Sequence, residues 1–132
     1  MINTHSKSSL LQPADVGEVH DYDWGVVVWL IAKRLGNSDQ QSFGRVTVFG
    51  GQKIPNHRHV DSDEVLHLIS GRFEQQVGED VYTLEPGDTI SIPAGAWHRA
   101  QALGDAEAVG VISFNSADHQ TEYEEESHAG SE

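Results

Sequence analysis

A chain of 132 residues, 37% of them hydrophobic and 22% charged, suits a single domain with one core and excludes wholesale disorder. Eight Lys and Arg against 21 Asp and Glu give a formal charge of −13, a field that repels phosphate backbones and anionic headgroups, so neither nucleic acid nor a membrane is expected as a partner. There is no cysteine, which excludes disulfides, thiol catalysis and cysteine-ligated metals and leaves only nitrogen and oxygen donors for any ion.

Residues 1–19 are polar and are expected to be a mobile segment. From residue 20 to 114, short apolar or alternating runs are separated by Gly, Asn, Asp and Pro, which is the punctuation of strands and turns. The strands expected in chain order are Trp24–Ala32, Ser42–Phe49, Lys53–Arg58, Glu64–Ile69, Arg72–Val77, Val81–Leu84, Thr89–Ile92, Trp97–Leu103 and Ala108–Phe114. The run Trp24–Ala32 falls well short of the roughly 20 residues needed to span a bilayer and reads as a buried strand. So many strands in one short stretch favour an all-β barrel or sandwich, because closing the sheet removes exposed edges. From Asn115 to the end the chain is rich in Glu, Ser and His and carries −6 of the formal charge, with no Lys or Arg. It is expected to be a solvated acidic tail, the run Glu122–Glu126 included. The first twenty residues do not read as a secretory signal, so a cytoplasmic location is the default expectation.

His57 and His59 are one residue apart on an expected strand, where a period of two turns both imidazoles to one face. Glu64 follows after the polar turn Val60–Asp63, where the next antiparallel strand is expected to return its carboxylate opposite the pair. His98 is expected to supply a fourth donor from across the barrel. Three neutral imidazoles and one carboxylate suit iron, manganese, nickel, zinc or copper, and one divalent ion per chain is expected. Four protein ligands on an ion that prefers six leave two positions open for a substrate, dioxygen or water.

The spacing Gly51-x5-His57-x-His59-x4-Glu64-x6-Gly71 resembles the first cupin motif at every fixed position, and Gly87-x5-Pro93-x-Gly95-x2-His98 resembles the second. Only the customary final Asn of the second motif is missing, since Ala102 stands there. The resemblance implies a cupin double-stranded β-helix, a jelly-roll β-barrel holding a metal between its two sheets. It also implies a small-molecule substrate. A metal-dependent enzyme of dioxygenase, decarboxylase, isomerase or lyase type is the favoured expectation, because an open four-ligand set exceeds what recognition alone requires. The alternative is a module that binds or senses a sugar or carboxylate without turning it over. The length of the Trp24–Ala32 run and the habit of the family point to a homodimer.

Other residues receive weaker expectations. Strand parity sets His67 with Val65 and Ile69, away from Glu64, so it is read as a packing or interface residue. His5, His20, His119 and His128 lie toward the ends of the chain and are given no role. Trp97 is read as packing rather than a gate. Arg45, Arg99 and Tyr82 would matter only if they faced inward, and none is assigned to catalysis.

Overall fold

The structure, a computed structural model, describes residues 10–124. His5 and His128 lie outside the described residues. The strands are β1 (Glu18–Tyr22), β2 (Gly25–Ile31), β3 (Ser42–Val48), β4 (Lys53–Arg58), β5 (Glu64–Ser70), β6 (Phe73–Val77), β7 (Asp80–Leu84), β8 (Thr89–Ile92), β9 (His98–Ala102), β10 (Ala108–Phe114) and β11 (Glu122–Tyr123). They pair antiparallel in two sheets, one ordered β1-β2-β3-β10-β5-β8 and the other β11-β4-β9-β6-β7. The two sheets make an all-β barrel, as the strand pattern implies, and it is of the jelly-roll type that the motif resemblance implies.

Alternation along each strand sorts the barrel into inside and outside. On β3 the residues Ser42, Gly44, Val46 and Val48 turn inward, and on β10 Ala108, Gly110, Ile112 and Phe114 do the same. The tightest packing is around Phe73, Leu68, Val48 and Ala102, each at most 1% exposed. Burying side chains of the size of Phe73 and Leu68 is worth about 1.5–3 kcal/mol each. Elsewhere inside, the buried polar side chains His59, Glu64, Gln75 and His98 join aromatic and aliphatic residues around a cavity.

Two short strands lie beyond those expected. β1 joins β2 through the two-residue turn Asp23–Trp24, with Tyr22 paired to Gly25. Trp24, expected to open a strand, sits in this turn, buried and stacked on Tyr22 at 4.6 Å between ring centroids. β11 forms within the stretch expected to be a solvated tail and pairs with β4, Glu122 opposite Arg58 and Tyr123 opposite His57. Residues 115–124 therefore run along the barrel, while 125–132 lie outside the described residues.

Gly71, which ends the first motif, makes the turn from β5 to β6. Its φ is +82°, and a Cβ there would come within 2.5 Å of the Glu107 carbonyl oxygen, so both the backbone angle and the close approach require glycine. After β2, the buried Asn37 side chain accepts from the Ala32 amide and donates to the Leu30 carbonyl at 3.0 and 2.9 Å. This fixes the 3-10 turn Lys33–Leu35, which carries Arg34 to the cavity mouth.

Candidate metal centre

β4 and β9 are neighbours, and His57 stands opposite His98. The ladder between them is irregular from Ile54 to His57, where Pro55 has no N–H to contribute. The Pro55 carbonyl instead accepts from His57 Nδ1 at 2.8 Å. His98 repeats this arrangement, its Nδ1 donating to the Ala96 carbonyl at 2.9 Å. His59 lies one residue past β4, and its carbonyl accepts from the Gly95 amide at 2.9 Å. Gly95 takes a φ of +81°, so the second motif's glycine holds the first motif's histidine. Glu64 opens β5 and comes from the opposite sheet, between Phe114 and Ile92.

The four expected residues thus meet, by a route that differs from the expectation in two respects. His98 comes from the adjacent strand rather than from across the barrel, and Glu64 comes from across the barrel rather than from the strand beside β4. Strand parity fixes which face a side chain occupies but not which strands are neighbours.

One donor atom from each of His57, His59, Glu64 and His98 lies within 4.8 Å of the others. Glu64 Oε1 is 3.3 Å from His59 Nε2 and 3.2 Å from His98 Nε2. These are ion-pair distances, yet neither Glu64 Oε1 nor His98 Nε2, both buried, has a hydrogen-bond partner among the described residues. A buried polar atom left unsatisfied is costly, and two of them aimed into one space fit ligands converging on an ion.

The tautomers fit as well. A carbonyl oxygen can only accept, so the Nδ1 atoms of His57 and His98 carry protons, and in the neutral ring Nε2 is the atom left to ligate. His59 does the same, its Nδ1 donating to the Gln120 carbonyl at 3.2 Å with Thr121 Oγ1 at 3.1 Å. Burial first, then the charge of His98, pushes the His57 imidazole down to about 3, so it is neutral and ready to ligate at pH 7. Burial penalises the Glu64 carboxylate, but the imidazoles of His59 and His98 outweigh it and hold the carboxyl well below its usual range. Burial likewise opposes protonation of His98, and Glu64 beside it wins, raising that imidazole. Residues of these types, so placed, can hold a divalent ion.

A cavity of about 400 Å³ opens onto the cluster, a size that suits a small molecule. Its walls include Tyr22, Trp24, Trp29, Phe114 and Tyr123. His119, expected to have no role, is part of the wall. Its ring stacks on Phe114 at 3.9 Å and its Nδ1 pairs with Ser42 Oγ at 2.8 Å. Burial above all pushes the His119 imidazole down to about 4. Gln75 is 2% exposed and also lines the cavity. Its amide nitrogen donates to the Arg99 carbonyl at 3.0 Å, which leaves its amide oxygen as an acceptor. Arg34 at the mouth is bound to Glu18 at 2.6 Å, and His20 also meets Glu18. Parity on β6 places Gln75 with inward Phe73, a signal available in the sequence. No local signal marks His119, Thr121 or Arg34, which reach the cavity through folding of the chain's outer segments.

The remaining candidates lie outside the cavity. His67 sits on the outer face, its Nδ1 2.7 Å from Thr89 Oγ1, in agreement with parity. Arg45 alternates with inward Gly44 and Val46, and Arg99 donates to Gln76 Oε1 at 3.1 Å. Tyr82 is exposed on the edge strand β7. Trp97 packs under the Arg58 guanidinium, 4.7 Å from its ring centroid.

Comparison with known proteins agrees with this architecture. Protein SchB of Streptomyces halstedii is 32% identical over 84 residues, covering 64% of this chain and 61% of that protein. The 5-nitrosalicylic acid 1,2-dioxygenase of a Bradyrhizobium species is 26% identical over 85 residues, 64% of this chain and 41% of that one. The chain thus spans less than two thirds of the length of these relatives. The oxalate decarboxylase of Lactobacillus farciminis, in its formate complex, superposes with a TM-score of 0.77 at 20% identity, covering 88% of this chain and 36% of that one, a likeness of fold. Residues 44–114 match the family described as the cupin domain. With both motifs in place around a jelly-roll interior, the chain belongs to the cupin family.

Proposed function

We propose that this cupin is a metal-dependent enzyme acting on a small, flat, oxygenated molecule, with His57, His59, Glu64 and His98 as ligands of one divalent ion. The observation that carries this reading is the convergence of four donors, three of them buried and two of them unsatisfied, on an aromatic-walled cavity. When bound, the ion supplies Lewis-acid or redox chemistry at coordination positions that the protein leaves open. Three neutral imidazoles and one carboxylate leave a divalent centre net positive, which favours a chelating or anionic substrate.

The chain's own residues define how such a molecule lies. Phe114 and His119 form a stacked pair with 6° between their planes, and Trp29, tilted by 50° to both, adds a second aromatic surface against which a planar molecule can pack. The Gln75 amide oxygen accepts a hydrogen bond from a hydroxyl or amine on the substrate. Apolar side chains such as Ile112 and Val46 exclude water from the rest of the cavity. The dioxygenase among the relatives supports an oxidative reaction on a hydroxylated ring. Pairing of two chains through the outer face of the larger sheet, where Val19, Val65 and Ile69 are exposed, is part of the same proposal.

The test is metal content of protein purified without added metal, followed by turnover of catechols, salicylates, diketones, keto acids and sugar derivatives with and without dioxygen. Stoichiometric metal with turnover supports the enzyme. Stoichiometric metal with ligand binding but no turnover assigns the cavity to recognition.

A further inference from the structure

His57 and His98 are oriented by carbonyls two residues upstream of each, Pro55 and Ala96. His59 has no such local partner. The acceptors on its Nδ1 are the Gln120 carbonyl and Thr121 Oγ1, 61 and 62 residues further along the chain. We propose that residues 116–124 form a strap that orients His59, with Thr121 as a positioning residue, so that strap docking and loading of the ion reinforce each other. The inference rests on the metal reading above.

The strap is tethered on both sides of Thr121. Upstream, buried Ala117 accepts from the Lys33 amide at 2.9 Å, His119 packs on Phe114, and the Gln120 amide donates to Asp61 Oδ1 at 3.1 Å. Downstream, Glu122 pairs with Arg58, Tyr123 stands opposite His57, and the Glu124 amide donates to the Asn56 carbonyl at 3.1 Å. These tethers place an acceptor pair at His59 Nδ1, the one Nδ1 of the three that has no carbonyl two residues upstream to hold it. A histidine whose Nδ1 proton is held presents Nε2 in a fixed direction and is a stronger ligand for it. An ion fixing Nε2 fixes the ring, and with it the proton that holds the strap, and binding linkage makes the two effects equal.

The experiment uses the full chain with zinc alone, its affinity read by competition with a chromophoric chelator. Thr121→Val removes one acceptor while keeping the side-chain shape, and it should weaken zinc binding by about tenfold. Thr121→Ser restores the hydroxyl and should stay within about threefold of wild type, because the donor–acceptor geometry is kept. Hydrogen exchange of the Gln120 and Glu124 amides should slow when zinc is added to the wild type, and this measurement carries the test if the valine variant does not fold. Equal zinc affinity for Thr121→Val and wild type overturns the strap, as does a serine variant as weak as valine or exchange indifferent to zinc. A wild-type protein that takes up no zinc overturns the centre itself.

Discussion

In metal-free protein the half-buried His57 should make folding acid-sensitive well above the range where carboxylates titrate. Its imidazole is pushed from 6.5 to about 3, by burial first and by His98 second. A group whose folded pKa is depressed contributes stability that is present above its unfolded pKa and lost as pH falls, because the unfolded chain takes up the proton that the folded chain refuses. The window here runs from 6.5 down to about 3. Between pH 7 and pH 5 the unfolded His57 gains nearly a full proton, which costs the folded state about 2 kcal/mol. That figure hardly depends on how far below 4 the folded value lies. His119, depressed to about 4, acts in the same direction, whereas His98, raised by Glu64, adds stability as pH falls toward 6.5 and offsets part of the loss. The assay is urea unfolding at the two pH values with a chelator present, for wild type and His57→Asn. The variant should be less pH-dependent by about 2 kcal/mol, roughly 1 M in urea midpoint for a domain of this size. An identical pH dependence in the two proteins would refute the assignment of His57 as a neutral imidazole in the folded protein.

Three further outcomes are expected. His59→Ala should lose most bound metal while His67→Ala, altered on the outer face beside Thr89, keeps it; elemental analysis of both variants decides. Zinc uptake near pH 7 should release protons, because the raised His98 must be neutral to ligate, and the release should shrink as pH rises; calorimetry in buffers of different ionisation enthalpy reads the count. Gly71→Ala should destabilise by more than about 1 kcal/mol, from the left-handed backbone and the close Glu107 carbonyl, with a lowered thermal midpoint as the readout.

Much of this fold is legible from alternation and punctuation. Lys53–Arg58, Thr89–Ile92 and Ala108–Phe114 begin and end where the sequence places them; for Thr89–Ile92 the bounds are local, set by Pro86–Gly87 before it and Pro93 after it. The four donors are legible because a period of two and glycine spacing are also local properties. The arrangement of strands is a property of the whole chain, which is why His98 and Glu64 exchange their expected directions. β11 is two residues long in an acidic stretch and exists only through its pairing with β4, so composition describes it as solvent-exposed. The same holds for Thr121 and His119, whose hydrogen-bond partners His59 and Ser42 are 62 and 77 residues away in sequence.

His57 and His98 belong to one sheet, with His59 just past its strand, and Glu64 belongs to the other, so an ion held by all four would act as a rivet through the thickness of the sandwich. Pulling it out would let the barrel breathe around the four donors, while the region around Phe73 stays clamped by its packing. The protein would then soften from one mouth inward, and a large guest would find entry easiest before the rivet is set.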